Sequence, residues 1–222
     1  MQNDRPDQAA QLREMARGRR RSALTLAVMS GKGGVGKSNV AVNLSICLAE
    51  RGLRTALMDL DMGLANADLL MNLQPRYTLA HLVAGVRTIE EISVRGPGGI
   101  QFIPGASGTQ GLANLSEFER QNLISQLHKL DASADIIVFD LGAGISRNVT
   151  SFAHAADRVW VVTTPEPTAL TDAYATVKAL QREQCRAKIA LVVNMANSRA
   201  EAQAAYRRVA GVAQKFLNFS IA

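Results

Sequence analysis

Cysteine is scarce in this sequence: there are two, Cys47 and Cys185, far apart and forming no Cys-x-x-Cys pair. That excludes a disulfide framework, offers no metal-ligand spacing, and fits a reducing cytoplasm. Aromatic residues make up only 5%, so basic positions have few rings beside them for stacking nucleic-acid bases. No apolar run approaches the length needed to span a bilayer. The N-terminus is Arg-rich and has no apolar h-region, which reads against a secretory signal. There is no internal repeat and no long low-complexity segment.

The 222 residues, 47% of them apolar, fit one α/β domain with a sizeable core. The net charge of +6 is unevenly placed. Residues 1–22 hold six arginines (Arg5, Arg13, Arg17, Arg19, Arg20, Arg21) against Asp4, Asp7 and Glu14, which puts half the excess in a tenth of the chain. Such a tail can meet nucleic acid, acidic lipid or an acidic protein groove, or it is a solvated arm.

Beyond the tail, short apolar runs alternate with helical spacing. Strands are expected at 23–29, 55–58, 100–103, 135–139, 158–163 and 188–194, with a last one beginning at 219–222. Helices are expected at 39–51, 116–130, 169–183 and 199–216. Ser116 and Glu119 have the spacing of a capping box. This alternation argues an α/β fold, a mainly parallel twisted sheet with helices on both faces. Ligands on such sheets sit at the carboxyl ends of the strands, and every motif below falls at such an end.

Gly31-Lys32-Gly33-Gly34-Val35-Gly36-Lys37-Ser38 matches GxxxxGK[ST] between a strand and a helix, as a phosphate loop requires. Its glycines let the backbone curl and aim N–H groups at phosphate oxygens, and the helix N-terminus adds its dipole. Lys37 is expected to reach the β- and γ-phosphates and Ser38 to hold Mg²⁺. These residues, with the following Asn39, are the expected nucleotide contacts. Asp59-Leu60-Asp61 follows the second strand. Two carboxylates at i and i+2 can share one site, one orienting or deprotonating the attacking water and the other supporting the Mg²⁺ shell; a pair of surface acids is the plainer alternative. Asp140 ends an apolar strand, where a carboxylate can hold a Mg²⁺-bound water or cap the next helix. Asn194 ends another strand. Its amide can donate to and accept from an adenine edge or merely form a turn, and no Asn-Lys-x-Asp sequence for guanine is present.

The run Ser30–Ser38 resembles the deviant Walker A motif of the MinD/ParA ATPases, P-loop NTPases of the SIMIBI class, and the resemblance covers the whole chain. It implies that Lys32 crosses an ATP-dependent homodimer interface to the partner's nucleotide. There it would act as an arginine finger does, placing positive charge where the transition state gains negative charge. It implies further that Asp61 positions the catalytic water, with Asp59 as helper, within a switch I running on through Met62-Gly63-Leu64-Ala65-Asn66-Ala67-Asp68. Asp140 would act on Mg²⁺ through water, Gly142 and Gly144 would belong to switch II, and Asn194 would read adenine.

Thr163-Thr164-Pro165-Glu166-Pro167-Thr168-Ala169-Leu170-Thr171-Asp172-Ala173-Tyr174 resembles the flagellar branch of that family, known as FlhG, FleN or YlxH. So does Asp7-Gln8-Ala9-Ala10-Gln11-Leu12-Arg13, the DQAxxLR motif of that branch. The resemblance implies that Asp7, Gln8, Ala9, Leu12 and Arg13 form a helix that activates the GTPase FlhF. Ala9, Leu12 and Ala16 do share a helical face, although one too short to hold an isolated helix. The expected organisation is a partner-binding tail, 1–22, and a P-loop ATPase domain, 23–222. The expected function is control of flagellar number or placement, with flagellar switch or transcription-regulator proteins as further partners.

In the family an amphipathic C-terminal helix brings the ATP dimer reversibly to the inner face of the membrane. The sequence stops near Ile221, before such a helix and before part of the adenine pocket, and the expectation is that it is cut short. The competing readings are DNA partition, for which Arg199, Arg207, Arg208 and Lys215 would supply the basic patch, and division-site placement. DNA binding is not expected. An iron–sulfur carrier ATPase lacks its Cys-x-x-Cys.

Overall fold

The computed structural model describes residues 22–61, 66–106 and 117–222. Seven strands form one sheet: β1 (Leu24–Ser30), β2 (Thr55–Leu60), β3 (Val94–Arg95), β4 (Gln101–Ile103), β5 (Ile136–Ala143), β6 (Arg158–Thr163) and β7 (Lys188–Val193). Their order across the sheet is β3-β4-β2-β5-β1-β6-β7. Every described pairing is parallel except β3 with β4 at one edge. The helices are α1 (Lys37–Glu50), α2 (Ala67–Leu70), α3 (Leu79–Val83), α4 (Ile89–Ile92), α5 (Glu117–Ser133), α6 (Arg147–Ala155), α7 (Pro167–Arg182) and α8 (Arg199–Leu217).

The strands read as continuous apolar runs because both sheet faces are covered. Side chains alternate between two cores. Leu26, Val28, Leu57 and Val138 pack with Val35, Ala41 and Val42 around α1. Ala27, Met29, Met58, Phe139 and Val161 face the other way, onto Leu82, Ile89, Leu130, Ala153, Val177 and Val209 of α3 to α8. The expected doubly covered parallel sheet is therefore present.

Differences from the expected elements lie mostly in 67–95, where three helices of four or five residues and the two-residue β3 are too short to show a period. The helix α6 is a further addition. The helix α7 starts at Pro167, two residues earlier than expected, because proline is suited to a first turn whose N–H groups have no helical partner. The strand expected at 219–222 is corrected to an extended tail. Ala222 N–H reaches Ile189 O at 3.0 Å and Tyr206 Oη donates to Ile221 O at 2.8 Å, but no ladder forms. The tail motif, the Ser116–Glu119 capping box and residues 62–65 of the expected switch I lie outside the described residues or side chains.

The sheet order puts the ends of β2, β5 and β1 side by side at its centre. Asp59 and Asp140 are direct register partners there, on β2 and β5. The loop leaving β1 lies beside them.

Candidate functional site

Local chemistry shapes the loop after β1. Gly34 and Gly36 have φ of 80° and 83°, left-handed values that a side chain would strain. Gly36 also meets the Asn194 amide so closely that a Cβ would strike Nδ2. At the other end of the loop, a Cβ on Gly31 would collide with the Asp172 carbonyl of α7 and lie 2.7 Å from Thr176 Oγ1. Ser30 Oγ donates to Lys32 O at 3.0 Å, and Gly144 N–H donates to Ser30 O at 2.8 Å, tying the segment after β5 to the loop. The loop is thus held by α7, by Asn194 after β7 and by Gly144 after β5, and α1 begins at Lys37.

Lys37 is only 6% exposed. Its Nζ donates to Asp140 Oδ1 at 2.5 Å and to Ser38 Oγ at 3.2 Å, and Asp61 Oδ2 lies 3.8 Å away. The structure therefore brings Lys37, Ser38, Asp61 and Asp140 to one point. Burial pushes the Asp140 carboxyl above its ordinary value, against the pull of Lys37 and Ser38. Asp140 Oδ2 is buried and has no hydrogen-bond partner among the described residues.

Asp59 is 1% exposed. It accepts the N–H of Asp61 at 3.0 Å on one oxygen and the N–H of Ala67 at 3.3 Å on the other, so it ties the residue that follows β2 to the first residue of α2. Burial, with some help from Asp140, raises its pKa to about 7, although the two amides and Lys37 oppose the shift. Asp61 is more open, 21% exposed at the side chain. Gly142, expected in a loop after Asp140, lies inside β5 instead, which runs on to Ala143, and it is what lets Asp61 come close to that strand: a Cβ there would sit 3.3 Å from Asp61 Oδ1.

The described residues hold no cluster of three or more His, Cys, Asp or Glu able to bind a metal. Ser38 and Asp140 are hard oxygen donors, and Asp140 has an orphaned buried oxygen. This set fits Mg²⁺, which takes one or two protein oxygens and completes its shell with water and substrate phosphates.

Two expected residues have partners to which no sequence pattern points. Lys32 Nζ lies 2.9 Å from Glu166 Oε2 and 3.0 Å from Thr168 Oγ1, both within the Thr163–Tyr174 segment. The only signal was that segment's resemblance, which assigned no contact. Asn194 Nδ2 donates to Val35 O at 2.9 Å, so one amide hydrogen serves the phosphate loop. Its remaining N–H and its Oδ1 keep the capacity to read a base edge. Gly33 meets nothing within 4 Å at its Cβ position, so the crest of the loop is open.

The comparisons agree with this geometry. The model for the CobQ/CobB/MinD/ParA nucleotide binding domain matches residues 26–221. The chain is 40% identical over 196 residues to the antiactivator FleN of Pseudomonas aeruginosa, covering 88% of this chain and 70% of that one. It is 36% identical to the flagellum site-determining protein YlxH of Helicobacter pylori, over 85% of this chain and 64% of the relative's length. Among solved structures, the septum site-determining protein MinD of Pyrococcus horikoshii, complexed with Mg-ADP, superposes with a TM-score of 0.66 at 25% identity, covering 84% and 77% of the two chains. The chain belongs to the CobQ/CobB/MinD/ParA nucleotide-binding family.

Proposed function

We propose that this chain is an ATP-hydrolysing switch that dimerises on ATP and controls flagellar number or placement. The observation that carries the reading is the meeting of Lys37, Ser38, Asp61 and Asp140 under an open glycine loop at the carboxyl ends of β1, β2 and β5. Lys37 would exchange Asp140 for the β- and γ-phosphates. Asp140 and Ser38 would then hold Mg²⁺, which neutralises phosphate charge when bound. Asp61, the most open of the carboxylates and close to switch II, would orient the attacking water. Asp59 fits best as the strut that sets Asp61, since both its oxygens are committed to backbone amides.

Lys32 pairs within its own chain through an exposed contact, 39% exposed at the lysine and 65% at Glu166. Such pairs contribute about 0–1 kcal/mol, so Lys32 can leave Glu166 for a partner's nucleotide at little cost. Asn194 would present Oδ1 to the adenine amino group while Nδ2 stays on Val35.

The flagellar assignment draws support from FleN and YlxH. The tail would activate FlhF, and flagellar switch or transcription-regulator proteins would be further partners. No helix among the described residues is long and apolar enough to cross a membrane. We place the protein in the cytoplasm, with reversible association to the membrane's inner face only where an amphipathic C-terminal helix, absent from the 222 residues, is present.

Phosphate release with Mg-ATP tests the core of this reading, alongside light scattering with and without ATP. The parent should turn over ATP. Asp61→Ala should lose about 100-fold in kcat and accumulate as an ATP-bound dimer. Asp61→Ala turnover at the parent rate would remove Asp61 from the mechanism. Stimulation of FlhF GTP hydrolysis by a peptide of residues 1–22, and not by its Gln8→Ala form, tests the partner. Absence of stimulation would turn the reading toward division-site placement or DNA partition.

A further inference from the structure

Met195 stands out beside the phosphate loop. It is 62% exposed although large and apolar, and its φ of 56° is left-handed, a conformation that glycine or asparagine adopts far more readily. The turn holding it is well fixed. Asn194 N–H bonds Thr163 O at 2.8 Å, and Asn194 Nδ2 bonds Val35 O. On the far side, Asn197 N–H donates to Glu201 Oε2 at 2.6 Å, and Glu201 N–H donates to Ser198 Oγ at 3.1 Å. The backbone is thus bolted on both sides of an exposed side chain in a strained conformation. Strain of this kind is kept where surrounding structure fixes it, and it gathers at ligand-binding positions.

The side chain lies toward the loop: Met195 Cε would be 3.4 Å from a Cβ built on Gly36. Gly36 immediately precedes Lys37 and Ser38. With its phosphates on the loop and its base edge at Asn194, as proposed above, a nucleotide passes over the end of β7 beside Met195. We infer that Met195 is the stacking platform for the base, its thioether lying against one face of the purine ring. A flexible, polarisable thioether suits an aromatic face and adapts to the ring's position. The assignment rests on the nucleotide reading above and adds a specific apolar contact to it. Asn194 reads the edge of the base and Met195 supports its face, from adjacent positions in one locked turn.

The test uses the full chain, Mg-ATP and Mg-tripolyphosphate, which has the phosphates but no base. In calorimetric titrations, Met195→Ala should weaken Mg-ATP about fivefold and leave Mg-tripolyphosphate within about twofold of the parent. In protein labelled with ¹³C at the methionine methyls, the resonance missing from Met195→Ala should move upfield with Mg-ATP, through the ring current of the base, and stay in place with Mg-tripolyphosphate. Parent-like ATP affinity in Met195→Ala, or a methyl resonance unmoved by ATP, would overturn the inference and leave the nucleotide site intact. Equal weakening of ATP and tripolyphosphate would also overturn it, assigning Met195 to loop shape instead. A parent that binds neither probe would bring down the nucleotide reading and this inference together.

Discussion

Asp59 and Asp140 are register partners on adjacent parallel strands, each 1% exposed, and they are used in opposite ways. Asp140 faces a buried lysine and keeps one oxygen unpartnered. Asp59 gives both oxygens to backbone N–H groups, those of Asp61 and Ala67. Two buried carboxylates side by side cannot both be anionic without compensation, and Lys37 sits on Asp140. The uncompensated share falls on Asp59.

A pH dependence follows for the protein in EDTA without nucleotide. The Asp59 carboxyl moves from 3.8 to about 7 on folding. The folded state therefore holds this proton more tightly, and Asp59 costs no stability below about pH 4. The cost grows as pH rises through 4 to 7 and is complete above about pH 7, reaching on the order of 4 kcal/mol. Asp59→Asn removes the titration. Urea unfolding at pH 5 and pH 8 should show the parent losing stability relative to Asp59→Asn across that interval. Parallel pH profiles for the two proteins would refute the assignment.

Lys37→Met should act on stability as well as on binding. It leaves Asp140 buried without its cation, and breaking a buried pair costs about 3–5 kcal/mol, reduced here because Asp140 can take up a proton. Adding Asp140→Asn should recover most of the lost stability, since an amide needs no counter-charge, but no ATP binding. Urea unfolding with ATP titration of both variants separates these effects. A double variant no more stable than Lys37→Met would show that the pair contributes packing, not charge balance.

The central strands, the glycine loop and the two aspartates were legible in the sequence because each is a local pattern: an apolar run, a fixed spacing, a carboxylate after a run; the strand ends were not, since β2 and β5 run past Asp59 and Asp140 to Leu60 and Ala143. The segment 67–95 was not, because helices of four or five residues complete barely one turn and depend on tertiary packing. One signal there was available. Thr88 and Glu91 form a reciprocal capping box, Glu91 N–H to Thr88 Oγ1 at 3.3 Å and Thr88 N–H to Glu91 Oε2 at 2.8 Å, and this spacing is readable. The partners of Lys32 and Asn194 were beyond reach for another reason. Glu166 and Val35 lie 134 and 159 residues away from them in sequence, and only the strand order β5-β1-β6-β7 brings them together.

The glycines of the loop should separate by mechanism. A Cβ on Gly31 meets the α7 backbone at Asp172 and Thr176 Oγ1, and backbone cannot move aside cheaply. Gly31→Ala should cost about 1–3 kcal/mol of stability through overpacking and displace the loop. Gly33→Ala meets nothing within 4 Å and should leave the unfolding midpoint unchanged while obstructing phosphate approach. Thermal unfolding with and without Mg-ATP distinguishes them: Gly31→Ala should melt low in both conditions, and Gly33→Ala should melt like the parent without nucleotide and show a smaller ATP-induced rise. Equal melting of the two variants without nucleotide would contradict the contact at α7.

Gly142→Ala tests whether the proposed role of Asp61 in catalysis depends on its closeness to the end of β5. The added methyl would lie 3.3 Å from Asp61 Oδ1 and 3.7 Å from Val149 Cγ2. The first contact is tight but borne by a side chain, and the second is ordinary packing. The fold should therefore tolerate the change, with a stability loss of about 1 kcal/mol or less. Asp61 would be displaced by a few tenths of an ångström from the position that orients water, and misplacement on that scale lowers the rate more than it lowers binding. The expected result is a fall of about tenfold or more in kcat for ATP with the ATP dissociation constant within about twofold of the parent, read by phosphate release and calorimetry. Unchanged kcat would mean that the approach of Asp61 to Gly142 is incidental to turnover. A matched loss of binding and turnover would place the effect in the phosphate loop, through the Gly144 N–H bond to Ser30 O.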